Sequence, residues 1–257
     1  MSSLEGKVVI VTGASSGLGE AAALRFARGG AKVVVAARRE DKGQAVARKI
    51  DALGGEGLFI RTDVTRRADI VALVNGTVAR FGRLDYAVNN AGISGPVMTP
   101  VAEIEEDDWD SLMNTNLKSV WMCMKYEILA MLETGGGAIV NVSSIYGYKG
   151  SDLGHAPYAT SKYGVVALSK SAAIDYGQRG IRVNAVSPGF SHSEMVDPYA
   201  ESAPDHLKLV LGRHSGMNRL GHAHEIAEAI VWLCSDAASF VNGVVLPVDG
   251  GEATRLY

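Results

Sequence analysis

The sequence predicts an α/β fold: a doubly wound, mostly parallel seven-stranded sheet with helices on both faces, Rossmann-like, as a single domain over 1–257. Three observations point there. Short β-branched runs alternate with amphipathic stretches along the whole chain. Runs such as Val8-Val9-Ile10-Val11 and Val33-Val34-Val35 lack polar alternation, as strands buried on both faces do. No repeat, low-complexity segment or Pro/Gly/Ser linker marks a second domain.

Strands are expected at 7–12, 32–36, 57–62, 85–89, 138–142, 181–186 and 244–248. Amphipathic helices are expected between them, at 17–29, 41–53, 66–81, 107–132, 157–178 and 223–235. The region 190–218 breaks this rhythm. It holds His192, Pro198, Pro204, His206 and His214, and its pattern is weak. An insertion near the carboxyl ends of the strands is a candidate lid over a substrate.

Composition narrows the function classes. Of 257 residues, 47% are hydrophobic, enough for a continuous core. A net charge of −3 argues against a nucleic-acid partner. Cys123 and Cys234 lie far apart in apolar helical stretches and read as buried thiols in a reducing compartment. The run Val8-Val9-Ile10-Val11 is too short for a signal-peptide core, and no stretch is long enough to span a membrane. A soluble, cytoplasmic protein with no membrane partner is expected. His222 and His224 lack a third ligand at metal-site spacing, so no metal is expected and the histidines read as solvated loop residues. Met122, Met124 and Met131 suit a core or an interface.

After the first strand comes Thr12-Gly13-Ala14-Ser15-Ser16-Gly17-Leu18-Gly19, opening a helix. Glycines reach φ > 0 and let backbone amides approach a pyrophosphate at a helix N-terminus. The spacing Gly-x-x-x-Gly-x-Gly also suits a tight turn, but its place between a buried strand and a helix favours the phosphate role.

Together with Asn89-Asn90-Ala91-Gly92, Tyr158-Ala159-Thr160-Ser161-Lys162 and Pro188-Gly189, in that order, this run resembles the short-chain dehydrogenase/reductase superfamily. The likeness is to its compact single-domain branch, from about Gly6 to Gly251. It implies an NAD(P)-dependent oxidoreductase that moves a hydride between the nicotinamide and a secondary alcohol or ketone. It also implies that Gly13, Ser15, Ser16, Gly17, Leu18 and Gly19 hold the cofactor phosphates. By the same likeness Asp63 receives the adenine amino group and Val64 packs on its ring, although Asp63 or Thr65 could equally cap a helix. Asn89, Asn90, Ala91 and Gly92 would close over the adenine ribose, or merely end the fourth strand in a turn. Pro188, Gly189, Ser191 and Ser193 would lie beneath the carboxamide; the family usually has Thr where this chain has Ser193.

At the end of the second strand the chain reads Val35-Ala36-Ala37-Arg38-Arg39. A carboxylate there would bind the ribose 2′-hydroxyl of NAD, and an arginine the 2′-phosphate of NADP. Ala37 stands where the family's NAD users carry Asp, and Arg38, followed by Arg39, matches its NADP users. Against that, Ser16 occupies a loop position that is basic in some NADP users, and Glu40 and Asp41 add negative charge. NADP is the expected cofactor, with NAD as the alternative.

Tyr158 and Lys162 lie four apart on a helix that Pro157 can begin, so they share one face. The resemblance makes Tyr158 the general acid/base. A phenol titrates near 10, so service as a base at neutrality requires lowering it by about three units, roughly 4 kcal/mol. The Lys162 ammonium favours phenolate and could hold the nicotinamide ribose. Ser144 matches the serine that supports charge on the substrate oxygen, with Ser143 as its rival. Asn116 matches the helix asparagine that holds a relay water, or else marks a kink.

Tyr146, Tyr148 and His155 lie between Ser144 and Tyr158, where the family lines its pocket. A moderately apolar carbonyl or secondary alcohol is expected, cyclic compounds among the candidates. Enoyl reductases of the superfamily space Tyr and Lys more widely, and a cofactor-sensing regulator should lack one of the two. The helix after Tyr158 carries Val165, Val166, Leu168, Ala172, Ala173 and Ile174, apolar beyond one stripe. A homo-oligomer follows, a homotetramer as in much of the family.

Overall fold

The computed structural model describes residues 4–151, 154–194, 196–202 and 204–254. Of the predicted domain, 1–3, 152–153 and 255–257 lie outside the described residues, as do Met195 and Ala203 of the predicted lid. Seven strands form one sheet: β1 (Val8–Thr12), β2 (Lys32–Ala37), β3 (Glu56–Arg61), β4 (Tyr86–Asn89), β5 (Gly137–Val142), β6 (Ile181–Pro188) and β7 (Val245–Val248). Their order is β3-β2-β1-β4-β5-β6-β7, every pairing parallel. Pro247 sits in β7 at the sheet edge, where a missing N–H does least harm.

Helices α1 (Gly17–Arg28) and α9 (Ala223–Cys234) pack against each other, and the sheet separates them from α3 (Arg67–Phe81), α5 (Ser119–Leu132) and α6 (Ala156–Tyr176). This explains the unbroken apolar runs. Successive strand residues face opposite ways, so Val9 and Val11 meet Phe26 and Ile230, whereas Ile10 meets Leu73, Met124 and Val165. Each strand feeds two cores and must be apolar throughout. Helix α2 (Glu40–Ala52) adds Val46 and Ile50 to the first of them.

Two regions depart from the sequence expectation. The helix expected at 107–132 divides into α4 (Glu106–Met113), a π-helical turn at Asn114–Lys118, and α5. Asparagine and threonine hold a helix weakly, and the Asn116 side chain is taken up by other backbone. The region 190–218 contains α7 (Asp197–Ser202) and α8 (Pro204–His214). Leu207, Leu211 and Leu220 pack there with Phe190 and Val196 in a small separate core. No helix among the described residues is long and apolar enough to cross a membrane.

From β1 the chain crosses to β2 on one side, and β4 lies on the other. Connections diverge there, which opens a crevice beyond the carboxyl ends of the strands. Behind it runs a buried polar chain. Asn89 Nδ2 donates to Glu127 Oε2 at 2.9 Å and to Asn141 Oδ1 at 3.0 Å, and Asn141 Nδ2 donates to Ser169 Oγ at 2.9 Å. These bonds tie β4, β5, α5 and α6 together. Asn89 thus faces the interior, which corrects its expected place beside the adenine ribose.

Burial pushes the Glu127 carboxyl up to about 7, against the hydrogen bond from Asn89. The folded protein therefore holds this proton more tightly than the unfolded chain, and stability falls as pH rises from about 4.5 to 7. Glu127→Gln should remove that dependence. Its stability relative to wild type should climb by up to ~3 kcal/mol across this window and stay level above it. Urea unfolding at several pH values measures the difference.

Candidate active site

Apart from Gly19, Asn89, Asn116 and Tyr148, the predicted site residues line one cleft of about 910 Å³ at the strand ends. Its glycine loop is built by close approach. Gly13 has φ 66°, and a Cβ there would lie 2.9 Å from Ala91 Cα. At Gly19 a Cβ would strike the Gly13 carbonyl and the Asn90 amide, so Gly19 lets helix and loop meet closely. Asn90 Nδ2 donates to the carbonyls of Thr12 (3.0 Å) and Gly13 (3.3 Å). Thr12 Oγ1 accepts from the amides of Asn90 (3.0 Å) and Ala91 (3.2 Å). Asn90 and Thr12 therefore stitch the loop to the end of β4. The cradle fits a dinucleotide pyrophosphate: small residues, backbone amides and the N-terminus of α1.

At the mouth, Asp63 Oδ1 accepts from the backbone N (3.0 Å) and hydroxyl (2.7 Å) of Thr65, in a turn. These bonds, Arg38 and Arg66 outweigh its desolvation and hold its carboxyl below the usual value. Neither Asp63 nor Thr65 caps α3, whose N-cap is Arg66. Val64 is buried beside it. Arg39 Nη2 donates to the hydroxyls of Ser15 (2.9 Å) and Ser16 (2.7 Å), and Nη1 to Glu194 at 2.9 Å. Lys42 also reaches Glu194, at 2.8 Å, and hydrogen bonds from Lys42, Ser16 and Arg39 pull that carboxyl down to about 2. Glu194 had no signal in the sequence; it lies far from its partners along the chain. Arg38 lines the same mouth and makes no hydrogen bond among the described residues. Glu40 is exposed and accepts from Gln44, away from the cleft.

At the deep end, β5 and α6 bring the reactive groups together. Tyr158 hydrogen-bonds Ser144, whose Oγ also accepts from the amide of Tyr146 at 3.2 Å. Ser143 donates instead to the carbonyl of Lys162 at 3.0 Å, so of the two serines Ser144 is the one beside the phenol. Lys162 Nζ donates to the carbonyl of Val142 at 2.9 Å and lies 5.5 Å from the Tyr158 ring centre. Desolvation brings the Lys162 ammonium down to about 8 and raises the Tyr158 phenol, a rise the Ser144 hydrogen bond opposes. The phenol is thus a protonated donor in the protein alone. Asn116 is fully buried in its π turn; its amide donates to the carbonyl of Ile93 (2.8 Å) and accepts from that residue's N–H (2.9 Å). A Cβ on Gly92 would meet Asn116 Oδ1 at 3.2 Å and Lys162 Nζ at 3.8 Å, so these groups adjoin behind the cleft.

Pro188, Gly189, Ser191 and Ser193 follow β6 along the cleft wall. The substrate end is framed by Val97, Ile145, Tyr146, His155, Phe190 and Val196. Tyr148 does not line it; its hydroxyl is buried elsewhere, where desolvation pushes its pKa up. His155 is buried in the wall, unlike the exposed His192, His222 and His224, of which His224 lies in the first turn of α9 rather than in a loop. Among the described residues no cluster of His, Cys, Asp or Glu could hold a metal ion.

A family model described as Enoyl-(Acyl carrier protein) reductase, of the adh_short type, matches residues 13–252. The chain is 45% identical to an A-factor type gamma-butyrolactone 1′-reductase (1S-forming) of Streptomyces virginiae over 96% of each chain. It is 42% identical to a 2,5-dichloro-2,5-cyclohexadiene-1,4-diol dehydrogenase of Sphingobium indicum over 98% of each. A solved actinorhodin polyketide ketoreductase with NADPH superposes with a TM-score of 0.90 at 32% identity, over 99% of this chain and 100% of that one.

The two serines should separate cleanly. Ser144→Ala should lower kcat by about 10²–10³, the effect of losing one preorganised donor. Ser143→Ala should keep kcat within a few-fold and cost about 1 kcal/mol of stability from its lost bond to α6. Steady-state rates and thermal melts of both variants check this.

Proposed function

The chain belongs to the short-chain dehydrogenase/reductase superfamily and is an NAD(P)-dependent oxidoreductase of alcohols and ketones; from that premise we propose that it reduces a ring-borne ketone with NADPH, using Tyr158 as proton donor. One observation carries the reading: a buried phenol, bonded to Ser144 and backed by Lys162, at the apolar end of a nucleotide-sized cleft. When bound, the nicotinamide supplies or accepts the hydride and, when oxidised, adds positive charge that favours phenolate. Ser144 holds the reacting oxygen, Tyr158 gives its proton to it, and Lys162 holds the nicotinamide ribose. Asn116 keeps the loop after β4 in place and supports a water that returns a proton toward Lys162. The ring preference is supported by relatives named for a gamma-butyrolactone and a cyclohexadiene-diol. The region 190–218 is assigned as the lid, because Phe190 and Val196 line the cleft and also belong to the small core beneath α8.

The test is NADPH oxidation over a panel of cyclic ketones. Tyr158→Phe should reduce turnover by at least ~10²-fold while the NADPH Kd changes by only a few-fold. A variant that keeps a tenth or more of wild-type turnover would overturn the assignment. The matched family model's description raises enoyl reduction as a second reading. Cyclohexenone decides it, since carbonyl reduction yields the allylic alcohol and enoyl reduction the saturated ketone.

NADPH is preferred because Arg38 makes no hydrogen bond among the described residues, Ala37 brings no carboxylate, and Glu40 is turned away. Arg38, Arg39 and Lys42 outnumber Glu194 and Asp63 around the same mouth. Hydrogen bonds to charged groups contribute about 1.5–3 kcal/mol, a tenfold to hundredfold affinity difference. Ala37→Asp combined with Arg38→Ile should reverse the preference; fluorescence titration with NADPH and NADH reads it. Tighter NADH binding by the wild type would sink this assignment.

The protein is assigned as a cytoplasmic homotetramer. Trp121 and Leu129 of α5 and Tyr163 and Ile174 of α6 are exposed, Ile174 by 82%, and suit a subunit interface. Cys123 and Cys234, both buried free thiols, suit a reducing compartment. Light scattering at micromolar concentration should give a mass near four times 27.1 kDa, and a stable monomer would refute it.

A further inference from the structure

His155 precedes α6, three residues before Tyr158, and is 9% exposed. Its ring forms part of the cleft wall, edge-on to Tyr146 (centroids 6.2 Å apart, planes at 79°) and tilted against Tyr158 (5.3 Å). Neither Nδ1 nor Nε2 has a hydrogen-bond partner among the described residues. Buried polar nitrogens are nearly always paired, and leaving two unpaired is unfavourable. Desolvation lowers the His155 pKa, so near neutrality the ring carries one N–H and one bare nitrogen.

Roles inside the fold do not account for it. His155 makes no side-chain cap to α6, although it occupies the N-cap position. It joins no metal-binding cluster. Its ring neighbours, Tyr146 and Tyr158, offer aromatic faces. The reacting oxygen is already served by Ser144 and Tyr158, so a further polar group in this wall is available for a different atom.

We infer that His155 binds a second oxygen of the substrate, apart from the one that reacts. In this scheme the ring turns about its last torsion when substrate binds and presents a nitrogen to it. The N–H then donates to a carbonyl or lactone oxygen, and the bare nitrogen accepts from a hydroxyl. The substrate class is therefore a cyclic ketone or alcohol that carries another oxygen on the ring, rather than a plain cycloalkanone. A site built to pair with such an oxygen discriminates against the analogue that lacks it, because its own polar atoms are then left unpaired. His155 is a specificity-determining residue in this scheme and takes no part in hydride or proton transfer.

This inference rests on the ketone reading above, and the experiment keeps the two apart. The probes are cyclohexanone on one side, and 4-hydroxycyclohexanone and cyclohexane-1,4-dione on the other, each with NADPH. His155→Phe preserves a flat ring and removes both nitrogens; His155→Leu is a second variant should the first fold poorly, and His155→Gln restores a donor and an acceptor. The Phe and Leu variants should lose roughly tenfold to hundredfold more in kcat/KM on the two-oxygen ketones than on cyclohexanone, mainly through KM. The Gln variant should recover part of the loss. Equal losses on both sets, or none on either, would overturn the role of His155 while leaving the ketone reading intact. A wild type inactive on every ketone would overturn that reading and this inference with it.

Discussion

A two-bond clamp between the end of β5 and the middle of α6 sets the geometry on which the site depends. Lys162 Nζ donates to the carbonyl of Val142, and Ser143 Oγ donates to the carbonyl of Lys162. Gly147 makes the approach possible, because a Cβ there would lie 3.0 Å from the Lys162 carbonyl and would strike the Ser143 hydroxyl. A lysine that is 5% exposed needs a partner, and the orphan carbonyl at a strand end is one that the sheet no longer uses. With α6 pinned at this point, Tyr158, one helical turn earlier, has little freedom but to meet Ser144. The polar chain from Glu127 through Asn89 and Asn141 to Ser169 holds the same elements from behind.

The cleft then divides by polarity. Its mouth carries Arg38 and Arg39 with the carboxylates of Asp63 and Glu194, and Lys42 reaches Glu194 from beside it. These contacts are about half exposed, so each contributes little to stability and can rearrange when an anion arrives. Its deep end is apolar and buried, and there the same charges would behave differently. Desolvation raises Tyr158 and lowers Lys162, so the phenol holds its proton more tightly than the ammonium does, the reverse of their order in water. The charged mouth and the buried phenol thus lie at opposite ends of one crevice, in different dielectric surroundings.

Much of this was legible in the chain by itself. Unbroken apolar runs, glycine spacing, and a tyrosine and lysine one turn apart are local patterns, and local patterns fix strand type, helix face and loop conformation. They determined the doubly wound sheet, the glycine loop, and the placing of Tyr158 and Lys162 on one helix face. What they could not fix is which of two adjacent polar side chains faces the cleft. Asn89 turns inward and Asn90 stitches the loop; Ser143 binds α6 and Ser144 binds the phenol. Neighbours on a strand end point opposite ways, and only the packed sheet and helix decide which side is the cleft. The helices α7 and α8 and the partners of Glu194 were equally hidden, because short helices and distant ion pairs owe their form to tertiary contacts and leave no period in the sequence. His155 shows the same limit. Its number placed it near the pocket, but only the folded wall around it stripped both ring nitrogens of partners.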